Sequence, residues 1–365
     1  MIGGVDWDAL AAAGLYDPAD GAAADRRALL EFLVAEGCTL DEMVRAHARG
    51  RLFGLAGDRK VRPGRDEFTL REAAAETGMD LDLVTALWRA FGLAIVEADT
   101  KVASRADLDV LPLFNAIAAL VGTDEALDLA RVAGASIARF ADATSAAMRV
   151  AVSDLGLEAS GSEVATARTF AGLAELTPAV GRALDVLFRH HIETARRQFE
   201  QSESNDVATL GQVRSAVAFA DVSGFTALAE AATSTDLASM LTAFERNATT
   251  LVHEVEGRVV KFIGEAVMYV TPRASTAVDV ARRLVATNDH PVRAGIAYGL
   301  LLAQDGDYFG PPVNLAARLV SVAEPGQVLL AADAAERLGE GYATEPLAPR
   351  TLRGIPDPVT PYALR

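Results

Sequence analysis

The stretch "RSAVAFADVSGFTALAEAA", Arg214–Ala232, decides the fold. Its first half is an apolar run around Phe219 that ends on a lone acid, Asp221, as a buried strand does at the rim of a sheet. Ser223 and Gly224 supply a turn, and a helix begins near Phe225. That order sets Asp221 beside the free backbone N–H groups of a helix N-terminus, here those of Gly224, Phe225 and Thr226. Such groups attract phosphate, and a carboxylate next to them can hold the metal that bridges phosphate oxygens. The plainer alternative is an aspartate that merely ends a strand.

Upstream the pattern differs. "DRRALLEFLVAEG" (25–37) and "DLDLVTALWRAFGL" (80–93) carry apolar residues at helical spacing and stop near glycine. "GRALDVLFRHHIETARRQFEQ" (181–201) is a long amphipathic run that gives way to the polar "SESNDVATLGQ". Composition and period both change there. The expected division is therefore a helical domain over 1–205, including a long helix over about 181–203, and a mixed strand-and-helix domain over 206–365. The fold class is α+β.

Composition limits the function. The chain has 365 residues and a net charge of −16, and both halves are acidic: 31 acids against 21 Lys/Arg in residues 1–200, and 19 against 13 in the rest. Nucleic-acid binding needs Lys and Arg to neutralise phosphates, so it is not expected. A small polyanion, screened by a metal and a few local cations, is compatible with this surface. The apolar segment between Asp109 and Asp124 contains Pro112 and Asn115 and falls short of the ~20 residues a membrane span needs. The first residues, "MIGGVDWDAL", carry acids where a signal peptide needs basic residues, so a cytoplasmic location is expected. A single cysteine, Cys38, excludes an intramolecular disulfide and reads as a small, half-buried residue.

Two further segments complete a constellation. "VVKFIGEAVMYV" (259–270) reads as strand, glycine turn and strand, with Lys261 and Glu265 four residues apart. If its strands neighbour the one bearing Asp221, the two carboxylates meet at one sheet edge, where they repel unless a cation lies between them. "DGDYFGPPVNLAARLVSVAEPGQVLLA" (305–331) starts a helix after Gly-Pro-Pro, with Asn314 and Arg318 on one face and Asp307 across the turn. Taken singly, these are ordinary turn, cap and surface residues.

Together, "FADVSGFT", "KFIGEAV", "DYFGPPVNLAARL" and "LRGIPDPVTPYAL" resemble the catalytic domain of class III nucleotidyl cyclases, with its ferredoxin-like βαβ-type fold, in order and spacing over about 212–365. Residues 1–200 resemble the helical regulatory domain of a subset of actinobacterial adenylyl cyclases, notably through "DRRALLEFLVAEGCTLDEM" and "FTLREAAAETGMDLDLV". The resemblance implies that Asp221 and Glu265, assisted by the Val222 carbonyl, hold two Mg2+ or Mn2+ ions per site. It implies that Lys261 and Asp307 read the base, Asn314 orients the ribose, and Arg318 neutralises charge on the triphosphate. It also implies a homodimer with each site shared between protomers. Adenine offers an acceptor at N1 and a donor at N6, which match a lysine and an aspartate, so ATP is the expected substrate. The product would be 3′,5′-cyclic AMP with pyrophosphate. The family usually has aspartate where this chain has Glu265; the extra methylene predicts lower activity or a tilt toward Mn2+.

Two other readings compete: a degenerate cyclase that senses nucleotide without turnover, and a transcription regulator. The second would use residues 68–93, where Ala74, Gly78 and Val84 have helix-turn-helix spacing, although Asp80 and Asp82 would face the phosphates. His190 and His191, on the long helix, could make a domain contact pH-sensitive, and some relatives with this domain arrangement are pH-responsive and autoinhibited. The alanine-rich helices could also enclose an apolar ligand such as a fatty acid.

Overall fold

The computed structural model describes residues 5–62, 64, 66–94, 97–152, 161–201 and 211–365. The chain forms two compact units, residues 1–188 and 189–365. The boundary expected near residue 205 lies outside the described residues.

The first unit is helical: α1 (Trp7–Ala12), α2 (Ala23–Ala35), α3 (Leu40–Ala48), α4 (Leu55–Val61), α5 (Leu70–Thr77), α6 (Leu81–Ala90), α7 (Arg105–Val121), α8 (Thr123–Val152) and α9 (Glu163–Ala174), while α10 (Thr177–Gln201) contains residues of both units. Capping is written into the sequence. Thr39 with Glu42, Thr69 with Glu72 and Ser104 with Asp107 form capping boxes, which satisfy N–H groups that a helix start leaves open. Two apolar clusters result, one around Leu29, Leu30, Leu33 and Met43, the other around Leu70, Val84, Leu87 and Phe114. Cys38 belongs to the first and is buried rather than half-buried; desolvation, only partly offset by Arg59, pushes its thiol up to about 11.

The helix-turn-helix spacing is real as geometry. Gly78 takes a left-handed φ of 67° between α5 and α6, and Ala74 and Val84 face the core. Asp80, however, is spent as the N-cap of α6, accepting from the N–H groups of Asp82 and Leu83. The hairpin packs inward and presents acid at the end a DNA reader would insert. The sequence reading expected helices throughout; the structure adds a short ribbon, β1 (Phe68–Thr69) with β2 (Lys101–Ala103), too brief for a two-residue period to reveal.

The second unit is built on β3 (Gln212–Val222), β4 (Arg258–Ile263), β5 (Ala266–Thr271), β6 (Val292–Gln304), β7 (Asp307–Phe309), β8 (Val328–Leu330), β9 (Thr344–Pro346) and β10 (Tyr362–Leu364), with α11 (Phe225–Ala231), α12 (Ser234–Glu254), α13 (Ala274–Thr287), α14 (Pro311–Val322) and α15 (Ala332–Ala335). The sheet runs β4-β5-β3-β6-β8-β10-β9, and β7 folds back on β6. Its first four strands, antiparallel and linked by helices, have the βαββαβ arrangement. β3 lies at the centre and is buried on both faces, which is why it reads as a continuous apolar run. Ala216, Ala218, Ala220 and Val222 pack toward α12 and α13, and Val217 and Phe219 toward α14. Gly295 fixes how closely α14 seats: a Cβ there would collide with the backbone of Ala316, Leu319 and Val320.

Candidate active site

β3 delivers Asp221 to the rim of the sheet, opposite Ala266 on one side and Arg293 on the other. The Val222 N–H donates to the Glu265 carbonyl at 3.3 Å, so the β4–β5 turn carrying Glu265 abuts the end of β3. The two acids therefore share one sheet edge. Asp221 Oδ2 accepts from both Nε and Nη2 of Arg293, at 3.0 and 2.7 Å. Its Oδ1 and the Glu265 carboxylate have no partner among the described residues. Ser223 Oγ, between them and α11 in the chain, is buried with no hydrogen-bond partner among the described residues. Gly224 enters α11 with φ 75° and makes no side-chain cap, so the first-turn N–H groups are open among the described residues. Phe225 begins the helix; the Thr226 side chain lies outside the described residues.

This donor set suits a hard divalent cation. Carboxylate oxygens are the ligands Mg2+ and Mn2+ prefer, and a site with one or two carboxylates takes its remaining ligands from phosphate and water. Among the described residues there is no cluster of three or more His, Cys, Asp or Glu that could hold a metal by protein ligands alone.

A second pair lies on the same face of the sheet. Lys261 sits opposite Met268 because a bulge shifts the β4–β5 register between Val259 and Lys261. Without the bulge, alternation would put Lys261 on the face of Val259, toward α12; with it, Lys261 joins Met268 on the α14 face. Asp307 reaches the same point from β7, after a two-residue turn in which Asp305 and Gly306 both have positive φ (54° and 78°). The Lys261 ammonium donates to Asp307 Oδ2, and Asp307 Oδ1 accepts from the Tyr308 N–H at 2.8 Å. A donor and an acceptor thus stand side by side, both partly exposed.

Asn314 and Arg318 lie one turn apart on the exposed face of α14, whose other face, Ala316, Leu319 and Val320, seals the core. No hydrogen bond or ion pair joins either side chain to Asp221 or Glu265 among the described residues. One chain therefore gathers the acids at one place and the lysine–aspartate pair at another, and leaves Asn314 and Arg318 facing solvent. His190 and His191 are both exposed on α10, beside exposed Phe188 and Ile192.

Two residues emerge only from the structure. Arg293 binds the Asp221 carboxylate, and Arg258, on β4, reaches the turn before Asp307. The one signal for Arg293 is a charge inside the apolar run "VRAGIAYGL"; Arg258 has no such signal.

Comparison with known proteins matches two successive regions of the chain. Residues 8–195 match the adenylate cyclase regulatory domain, and residues 207–365 match the adenylate and guanylate cyclase catalytic domain. An uncharacterized protein of Mycobacterium tuberculosis is 42% identical over 100% of this chain and 95% of its own length. A pH-sensitive adenylate cyclase of the same species is 33% identical over 96% of this chain and 90% of its own. An adenylate cyclase of Streptomyces coelicolor is 33% identical over 74% and 71%.

Proposed function

The chain belongs to the class III adenylate cyclases that carry an N-terminal helical regulatory domain, and from that premise we propose how its residues bind ATP and close it into 3′,5′-cyclic AMP. The observation that carries the reading is the side-by-side placement of Lys261 and Asp307. Lys261 donates to adenine N1, and Asp307 accepts from the N6 amino group. Guanine reverses both demands, leaving polar groups unpaired at about 1–3 kcal/mol each.

Asp221 and Glu265 hold the divalent ions, with the Val222 carbonyl assisting. Bound there, divalent ions would supply positive charge to offset the charge that develops during cyclisation. Arg293, already on Asp221, is placed to meet phosphate oxygens at the same rim, next to the N–H groups of Gly224, Phe225 and Thr226. Asn314 orients the ribose so that its 3′ oxygen lines up on the α-phosphorus. Arg318 forks onto oxygens whose charge grows as the bond to pyrophosphate breaks. Little covalent chemistry falls to the chain; it orients and neutralises.

Because Asn314 and Arg318 are exposed on α14 and unbonded to the chain's own acids among the described residues, the complete site takes them from a second copy. Leu300, Leu302 and Phe309, all more than a third exposed, form an apolar patch on the β6–β7 hairpin, where Leu302 pairs directly with Phe309. A patch of that kind beside a functional hairpin suits an interface between protomers.

Glu265 gives the first test. Aspartate would shorten the ligand by one methylene and fit the near-octahedral demand of Mg2+ better. Glu265→Asp is expected to raise Mg2+-supported cyclic AMP formation about tenfold while changing Mn2+-supported activity less. No gain with Mg2+ would count against this account of Glu265. Wild-type protein that makes no cyclic AMP from ATP with either ion would favour the nucleotide sensor instead.

The regulatory domain gives the second. Likeness to a pH-sensitive adenylate cyclase, with His190 and His191 exposed on the helix that leads to the catalytic unit, supports an autoinhibited, pH-responsive enzyme. The fragment starting near residue 205 should be more active than the full chain, with the difference varying between pH 5 and 8. Equal rates across that range would contradict inhibition by the N-terminal domain.

A further inference from the structure

β4 carries more than Lys261. Three residues earlier, Arg258 sends its guanidinium across to the β6–β7 turn, where Nη2 donates to the Gly306 carbonyl at 2.9 Å. The same guanidinium lies 5.8 Å from the centre of the Tyr308 ring. Gly306 and Tyr308 are the residues immediately before and after Asp307. A single side chain therefore holds the backbone on one side of Asp307 and the ring on the other.

The hairpin is otherwise fixed by its ladder to β6, by Tyr308 packing against the core on the α14 face and by the Lys261–Asp307 pair. β7 is three residues long and pairs with β6 alone. Its turn residues Asp305 and Gly306 are exposed. Asp307 must nevertheless cross from the β6 side of the sheet to β4 and stop with its carboxylate beside the Lys261 ammonium. The Arg258 fork spans that gap from the strand that bears the lysine, so both halves of the donor–acceptor pair are referred to one strand. The bulge between Val259 and Lys261 lies between the two side chains and turns Lys261 to the face the hairpin occupies.

We propose that Arg258 is a positioning residue for base selection: by clamping Gly306 and Tyr308 it sets the spacing of Asp307 from Lys261, and hence the preference for adenine over guanine. The proposal rests on the reading that Lys261 and Asp307 contact the base. Arg258 itself touches no substrate in this scheme. Its loss should act on nucleotide affinity and selectivity, not on the chemical step, because no hydrogen bond or ion pair joins Arg258 to Asp221, Glu265 or Arg318 among the described residues.

The test uses the full chain, with steady-state kinetics on ATP and GTP and a thermal midpoint for each variant. Arg258→Met keeps the aliphatic stem and removes the donors. It is expected to raise KM for ATP about tenfold, the scale of one charge-assisted hydrogen bond, with kcat nearly unchanged and the ATP-to-GTP ratio of kcat/KM narrowed. Arg258→Lys retains a donor and should recover part of both. Combined with Asp307→Ala, Arg258→Met should add no further loss of selectivity, since the residue it positions is gone. Undiminished selectivity in Arg258→Met, alongside a loss in Asp307→Ala, would overturn the clamp and leave base reading by Asp307 intact. Undiminished selectivity in both would overturn the base-reading assignment and the clamp with it. Should the methionine variant not fold, Arg258→Gln is expected to show a smaller loss in the same direction, and wild-type selectivity there would overturn the proposal.

Discussion

Arg318→Ala and Asp221→Asn are each expected to lower cyclic AMP formation about 10³-fold without unfolding the protein, a barrier increase of about 4 kcal/mol. The reasons differ. Arg318 projects from the exposed face of α14 and takes no part in the core, so its removal costs little stability. Its role exists only when charge builds on the leaving pyrophosphate, so kcat should fall more than KM rises. Asparagine at 221 keeps the shape and still offers Arg293 an oxygen, but it lacks the negative charge that holds a divalent ion. Raising the metal concentration should therefore restore part of the activity of Asp221→Asn and none of that of Arg318→Ala. Steady-state rates against metal concentration, with thermal midpoints as controls, check both. Near-normal activity in either variant would remove that residue from the site.

The second large effect concerns the base. Lys261→Ala is expected to reduce kcat/KM for ATP about 10²-fold, since it removes a donor and also strands the Asp307 carboxylate that the ammonium now pairs. GTP turnover should change far less, because Lys261 faces the guanine N1 donor unfavourably to begin with. Paired kinetics on the two nucleotides give the answer. An equal fall for both would mean that Lys261 supports the fold or the phosphates and does not read the base.

Much of this was legible because strand and turn chemistry are local. The apolar run ending at Asp221, the glycine turn before Phe225 and the Gly-Pro-Pro start of α14 each follow from a few adjacent residues. The resemblance of these segments to cyclases then gave Lys261, Glu265, Asp307, Asn314 and Arg318 their expected roles. What escaped were relations between strands distant in the chain. Arg293 lies 72 residues from Asp221 and Arg258 lies 48 from Gly306; neither spacing has a local signature. The bulge beside Lys261 is set by how β4 pairs with β5, and "VVKFIG" alone suggests an ordinary alternating strand. The β1–β2 ribbon was missed for the opposite reason, being too short to show any period. For the helical domain, apolar spacing and terminal glycines marked the helices, the capping boxes such as Thr39 with Glu42 came from the structure, and Asp80 as an N-cap turned an apparent DNA-reading motif into a packing hairpin.

The shared site depends on one arrangement: the metal acids of one protomer completed by Lys261, Asp307, Asn314 and Arg318 of another. Mixing the inactive Asp221→Asn and Arg318→Ala proteins tests it directly. In randomly assorted dimers about half are mixed, and each mixed dimer holds one intact site of two, so activity should recover to about a quarter of wild type. A mixture that stays as inactive as its components, under conditions where exchange between protomers is demonstrated, would contradict the shared site.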